Sequence, residues 1–309
     1  TAYEISTRDW SSDVCSSDLV LFVSNRAEFV FLLFAIQYLG AIAVPVGIRE
    51  QRPGLTYIMN QCKAKAIAFD ASLADRIPLR SDVISLEHRI CLDSDLNDQL
   101  AIDAQTVFLA SLLAKSSQIN TSAHHADQFD VAVILYTSGT TGNPKGAMIT
   151  HANIVHSVLH YQYGMRLTEN DSSMLAVPAS HVTGLIAIIA TMVQVGGAIL
   201  IMQEFKAKQF LEFATQERMT HTLMVPAMYS LCLLEPSFNA DALQHWRIGG
   251  YGGAPMPVSV IEQLAKYLPN LDLRNAYGAT ETTSPVTLMP AGMNNEHLDS
   301  TKTKVFFFN

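Results

Sequence analysis

Short apolar runs alternate with helical stretches from Val20 to Asp70, and a chain written this way has few folds open to it. Residues 20–24 have strand length. Residues 28–39 read as a helix with apolar residues nearly all round, which predicts a well-buried helix. Gly40 is its expected C-cap, and residues 41–46 return as a strand ending near Pro45. A second helix (55–61) and a second strand (64–70) follow. Such repetition needs crossovers, so the strands run parallel and helices cover both faces. From 93 to 130 the pattern weakens. Residues 106–114 read as a helix, and 115–128 as a polar linker into a second sheet. Beyond it, helices at 151–163, 185–193, 210–217, from Pro226, and 257–268 alternate with strands at 173–177, 198–202 and 222–225. The expected fold class is α/β, with two sheets of mainly parallel strands layered with helices.

Composition removes several functions. The 309 residues, 49% hydrophobic and 16% charged, describe a folded globular chain with room for one large or two ordinary domains. A formal charge of -8 leaves no basic stripe for a general nucleic-acid partner. Cys15, Cys62, Cys91 and Cys232 form no CxxC pair, which points to buried thiols in a reducing, cytoplasmic setting. The apolar stretch 29–36 is too short to span a bilayer, and 185–202 is divided by Thr191, Gln194 and Gly196-Gly197, so no membrane span is expected. Neither His124-His125 nor the His156/His160 pair has a third ligand or an HExxH pattern, so neither predicts a metal.

Residues 1–19 lack both a signal peptide's apolar centre and any structural period. They resemble the in-frame translation of a sequencing-library adapter and are expected to be non-native; a genuine flexible arm is the alternative. Setting them aside removes Glu4, Asp9, Asp13, Asp18 and Arg8 and moves the charge from -8 to -5.

Chemistry concentrates in residues 134–146, Ile-Leu-Tyr-Thr-Ser-Gly-Thr-Thr-Gly-Asn-Pro-Lys-Gly. An apolar strand-length run (131–135) precedes them, and a helix N-capped by Thr150 follows after residues 147–149. Hydroxyls, glycines and a lysine are therefore expected in a loop between regular elements. Glycines let backbone N–H groups turn toward an anion, Thr137, Ser138, Thr140 and Thr141 offer hydroxyls, and Lys145 adds charge. A Walker A loop is excluded, because Pro144 stands before the lysine and Gly146 after it.

The run resembles, almost letter for letter, the phosphate-binding signature of the adenylate-forming enzymes: acyl-CoA synthetases, luciferases and the adenylation domains of peptide synthetases. Three further segments follow in the family's order. Pro178-Ala179-Ser180-His181-Val182-Thr183-Gly184 resembles the His-Val-x-Gly segment that borders the acyl channel. Taken alone, such a histidine is more often a satisfied structural residue than a functional one, and it is the family order that points His181 to function. Gly252-Gly253-Ala254-Pro255, alone only a tight turn, would let a flat ring approach the backbone. Asn275-Ala276-Tyr277-Gly278-Ala279-Thr280-Glu281 resembles Tyr-Gly-x-Thr-Glu.

The resemblance implies an ATP site made by Thr137, Ser138, Gly139, Thr140, Thr141, Gly142, Lys145, Gly252, Gly253, Ala254, Asn275, Ala276, Tyr277, Gly278 and Thr280. Tyr277 would stack on adenine, Thr280 would bond the α-phosphate, and Glu281 would hold Mg²⁺. His181 and Gly184 would border the acid, and Lys145, Thr280 and Glu281 would carry the catalytic electrostatics.

The implied reaction joins a small-molecule carboxylic acid to AMP and then passes the acyl group to coenzyme A, or to a carrier-protein thiol. Amino-acid-activating relatives usually carry an Asp in the His181 loop; residues 178–184 contain no acid, and an unpaired buried ammonium costs several kcal/mol. A plain fatty or aryl acid is therefore expected, with chain length undecided. The match spans 20–300, the family's large N-terminal domain without its small C-terminal domain, and residues 301–309 depart from the family pattern. The chain as written is therefore expected not to complete thioester formation, and a non-catalytic nucleotide-binding relative is the competing reading.

Overall fold

The computed structural model describes residues 18–93, 106–115, 125–137 and 142–291, which build two sheets. The first contains β1 (Leu19–Phe22), β2 (Ala43–Pro45), β3 (Ala66–Phe69), β4 (His88–Cys91), β5 (Val107–Phe108), β6 (Val131–Thr137) and β7 (Lys145–Thr150). Its order is β5-β4-β3-β1-β2-β6-β7, parallel except for the β6–β7 pair. The second contains β8 (Ser172–Leu175), β9 (Ala198–Ile201), β10 (His221–Met224), β11 (Ile248–Tyr251), β12 (Asp272–Tyr277) and β13 (Thr287–Leu288). Its order is β13-β12-β11-β10-β8-β9, antiparallel only at β12–β13. The helices are α1 (Ala27–Tyr38), α2 (Arg52–Gln61), α3 (Leu109–Lys115), α4 (His151–Gly164), α5 (Thr191–Val195), α6 (Ala207–Gln216), α7 (Pro226–Leu234) and α8 (Val258–Tyr267). The expected α/β class with two mainly parallel sheets is the one observed.

Period-two alternation divides the core. Along β1, Val20 and Phe22 join Leu55, Ile58 and Met59 of α2 in one cluster. Leu21 turns the other way, into the cluster of Phe29, Leu33 and Ile36 of α1, which continues into the second sheet. Both faces of the first sheet are therefore buried, which is why its strands read as unbroken apolar runs.

Several local expectations change. Helix α1 is not buried all round: Phe29, Leu33 and Ile36 face inward, while Phe31 is 69% exposed. A helix lying on a sheet has one stripe to bury, whatever its opposite face carries. The residues after the glycine-rich run are not loop but β7, so Lys145 and Gly146 are strand residues paired with Thr137 and Tyr136. Gly146 answers a packing need, since a Cβ there would lie 2.7 Å from Ile134 Cγ2 and 3.2 Å from Tyr136 Cζ. Gly249 and Gly250 belong to β11. The stretch expected as a helix at 106–114 divides into β5 and α3.

Residues Thr183–Ala190 form a widened helix with i→i+5 geometry that runs into α5. Gly184 to Ile189 are all buried, against α4 and strands β8 and β10. The Thr191 hydroxyl donates to the Ile186 carbonyl five residues back at 2.8 Å, completing the wider turn. The expected cap of α4 is present as a reciprocal pair: Asn153 N–H donates to Thr150 Oγ1 at 3.2 Å, and Thr150 N–H donates to Asn153 Oδ1 at 3.1 Å. Cys62, Cys91 and Cys232 are buried free thiols; Cys15 lies outside the described residues. Among the described residues no helix is long and apolar enough to cross a membrane.

One buried carboxylate among the described residues stands without a hydrogen-bond partner. Asp18 is 1% exposed at the entrance to β1, and neither of its carboxylate oxygens has a hydrogen-bond partner. Burial pushes its pKa from 3.8 up to about 7. The folded state therefore holds this proton more tightly than the unfolded chain, and stability falls as pH rises from about 4 through 7. Asp18→Asn is expected to raise the melting temperature by roughly a few degrees at pH 8 and by little at pH 4. Equal shifts at both pH values, read by calorimetry, would contradict a buried carboxylate.

Candidate active site at the seam of the two sheets

Strands β10, β11 and β12 end side by side, and the end of β6 comes up beside them from the first sheet. Ligands of open α/β sheets sit at such carboxyl ends. Here the ends enclose a cavity of about 600 Å³. Thr137 enters its wall from β6, His181 and Val182 from the loop after β8, Thr183 from the start of the widened helix, Gly252 and Gly253 from the end of β11, and Ala276 from β12. Gly278, Ala279, Thr280 and Glu281 follow in the turn after β12. All four segments picked out in the sequence thus share one cavity.

Thr137 Oγ1 donates to Glu281 Oε1 at 3.4 Å, joining the first sheet to the turn that carries Thr280 and Glu281. That turn is a short 3₁₀ element at Thr280–Thr282, closed by Ala279 N–H donating to Thr282 Oγ1 at 3.0 Å. Glu281 is exposed, and it is the one carboxylate among the described residues lining the cavity.

The glycines divide by cause. A Cβ on Gly252 would stand 2.4 Å from the Ala276 carbonyl oxygen, so β11 and β12 can close at this height only over a bare backbone. Gly253 has φ +76°, a left-handed conformation that side chains resist. On Gly278 a Cβ would meet Ser284 Oγ at 2.8 Å.

His181 lines the cavity with one side open to solvent and the rest screened by protein, and this desolvation lowers its pKa. Thr183 N–H donates to its Nδ1 at 3.4 Å, so the neutral ring carries its proton on Nε2.

The remaining expected residues stand outside this wall. Lys145 is exposed at the start of β7, directly opposite Thr137 across the hairpin. Gly142 has φ +114° and open space around it. Tyr277 is 67% exposed at the end of β12, beside Gly278. Ala254 is exposed, and the Asn275 side chain hydrogen-bonds Tyr251. Gly184, expected beside the acid, is instead buried behind His181: a Cβ there would fall 2.3 Å from the Pro178 carbonyl oxygen. Ser138, Gly139, Thr140 and Thr141 lie outside the described residues, as does His124.

Sequence reading passed over Tyr161, Leu223 and Ser284, which also line the cavity. Tyr161, on α4, is fully buried and shares a hydrogen bond with Ser284 Oγ at 2.9 Å; burial pushes its pKa up to about 12. Each reads as an ordinary residue of its own segment, and only long-range contacts, such as that of Tyr161 on α4 with Ser284 beyond β12, bring them to the wall.

These features can be set beside known proteins. The model of the AMP-binding enzyme family matches residues 16–306. The chain is 28% identical over 275 residues to 4-coumarate–CoA ligase CCL1 of Humulus lupulus, covering 88% of this chain and 49% of that protein. It is 26% identical over 274 residues to the long-chain-fatty-acid–CoA ligase FadD13 of Mycobacterium tuberculosis, covering 88% and 51%. The chain therefore spans about half the length of these curated relatives. Its fold superposes on the inhibitor-bound N-terminal domain of FACL13 from Mycobacterium tuberculosis with a TM-score of 0.79 and 26% identity, over 91% of this chain and 67% of that one. On the matched residues, and with the four segments gathered at one cavity, the chain belongs to the AMP-binding enzyme family.

Proposed function

We propose that this chain is the nucleotide- and acid-binding part of an AMP-forming acyl-CoA ligase, which activates a carboxylic acid with ATP and transfers the acyl group to coenzyme A. The convergence of Thr137, Gly252, Gly253, Thr280 and Glu281 on one cavity carries this reading. The names of the relatives, ligases of 4-coumarate and of long-chain fatty acids, support coenzyme A as acceptor.

The acid's carboxylate attacks the α-phosphorus of ATP, its oxygen forming the new P–O bond as the bond to pyrophosphate breaks. The acyl-adenylate then loses AMP to a thiolate, which forms the thioester. Neither step needs a protein nucleophile, so the residues act by placing reactants and meeting developing charge. Thr280 offers a hydroxyl to the α-phosphate, and Lys145, held opposite Thr137 by the hairpin, offers a cation. The bare backbone at Gly252 and Gly253 leaves room for the adenine ring, and the exposed Tyr277 stands in the chain between the wall residues Ala276 and Gly278.

Glu281, with the Thr137 hydroxyl beside it, offers hard oxygen donors that suit Mg²⁺. Among the described residues no group of three or more His, Cys, Asp or Glu gathers, so the ion would complete its shell with phosphate oxygens and water. When bound, it neutralises charge on the triphosphate. On the acid side, Val182 and Leu223 supply apolar wall, and neutral His181 adds no cation. No acid is present from Pro178 to Gly184, which favours a plain fatty or aryl acid over an amino acid.

ATP–pyrophosphate exchange by the full-length protein across a panel of carboxylic acids tests the reading. Lys145→Ala and Glu281→Ala are each expected to slow that exchange by roughly a hundredfold or more; unchanged rates refute their roles. Gly252→Ala is expected to weaken AMP binding roughly tenfold by forcing β11 from β12, and parental affinity in a calorimetric titration would show that the backbone approach is not needed.

A further inference from the structure

The loop that carries His181 is held from two sides, and one of the holders comes from the other sheet. Asn25 follows β1 and is buried. Its chain neighbours are pinned: Ser24 N–H donates to Asp70 Oδ2 at 2.8 Å, and the Arg26 guanidinium pairs with Glu28, Asp70 and Asp93. From that base the Asn25 carboxamide crosses the seam. Its Nδ2 donates to the carbonyls of Val177 at 2.9 Å and Met202 at 3.0 Å, with that of Leu175 at 3.5 Å. Its Oδ1 accepts from Ala179 N–H at 2.7 Å.

Val177 and Ala179 flank Pro178, whose own carbonyl accepts from His181 N–H at 3.1 Å. On the far side Gly184 lies so close that a Cβ would stand 3.0 Å from Ala179 Cα. Residues 177–181 are therefore gripped between an amide of the first sheet and the backbone of the widened helix. A core asparagine with no task beyond satisfying itself can take partners anywhere; this one takes its acceptor contact and its shortest donor contact from the two residues around Pro178.

We propose that Asn25 is a positioning residue for the acid-binding wall, setting through Val177 and Ala179 where His181 stands in the cavity. The inference rests on the acid-activating reading of the site. It concerns the acid half alone, because Gly252, Gly253 and Thr280 follow β11 and β12, which the Asn25 amide does not touch.

The test is Asn25→Ala in the full-length protein, assayed by pyrophosphate exchange with benzoate and hexanoate as probes. The KM for the acid is expected to rise roughly tenfold while that for ATP stays within about twofold. A proportional rise in both overturns the inference and leaves Asn25 a general structural pin. In a His181→Ala background the Asn25 effect on acid KM is expected to vanish; additive effects overturn the inference. Hydrogen exchange gives a readout free of activity: in the parent the Ala179 amide is expected to be protected, and in Asn25→Ala it exchanges faster while residues 272–277 do not change. Should Asn25→Ala fail to fold, unprotected exchange at Ala179 in the parent would still overturn the proposal. A parent that exchanges pyrophosphate with no acid overturns the reading of the site and this inference with it, whereas a fully active parent whose variants lose acid and ATP together overturns the inference alone.

Discussion

One apolar cluster, running from the first sheet's inner face through α1, α4 and the widened helix to the second sheet, is the constraint on which the rest of the molecule depends. Leu21, Ala43 and Ala68 on one side and Met174, Leu175 and Leu223 on the other belong to one apolar cluster. With helices α1 and α2 serving opposite faces of the first sheet, the two sheets cannot slide without exposing that cluster. The carboxyl ends of β10, β11 and β12 then meet the end of β6, and a cavity forms where no single sheet would leave one.

Close backbone approach is the second organising force. Gly252 lets β11 and β12 converge at the cavity, Gly184 lets the widened helix press on the His181 loop, and Gly146 makes room for Tyr136 across the β6–β7 hairpin. Each glycine sits in or beside a motif that also reads as ligand-binding, yet two of the three answer to packing away from the cavity wall. A glycine-rich sequence thus carries two messages, and geometry separates them.

Polar contacts brace the second sheet. Asp171, 3% exposed, would be raised by burial alone, but Arg247, Thr220 and Thr168 bind its carboxylate and hold its pKa low. This bundle ties the start of β8 to the chain entering β10 and β11. His221, by contrast, is buried and kept neutral, its pKa pushed down to about 3, with Nδ1 bonded to Ser173 Oγ at 2.7 Å. Neither group faces the cavity; both brace the strands that do.

The sequence by itself determined the α/β class, most helices, the cap at Thr150, and the four segments of the site, because period, capping and short motifs are local properties. It did not reveal β4, β5, β7 or β13, which are short or half-exposed and gain stability only from neighbours in the sheet, nor did it name β11, whose Gly249 and Gly250 are poor strand formers, or β12. Nor did it show that Phe31 would face outward, since an apolar helix does not record which stripe its sheet will cover. Tertiary structure alone decided that Lys145 stands on a strand opposite Thr137, that Gly184 backs His181 rather than lining the cavity, and that Tyr161 and Ser284 meet at its wall. Those outcomes depend on contacts between residues far apart in the chain, such as the 154 positions that separate Asn25 from Ala179, and no local pattern encodes a distance of that kind.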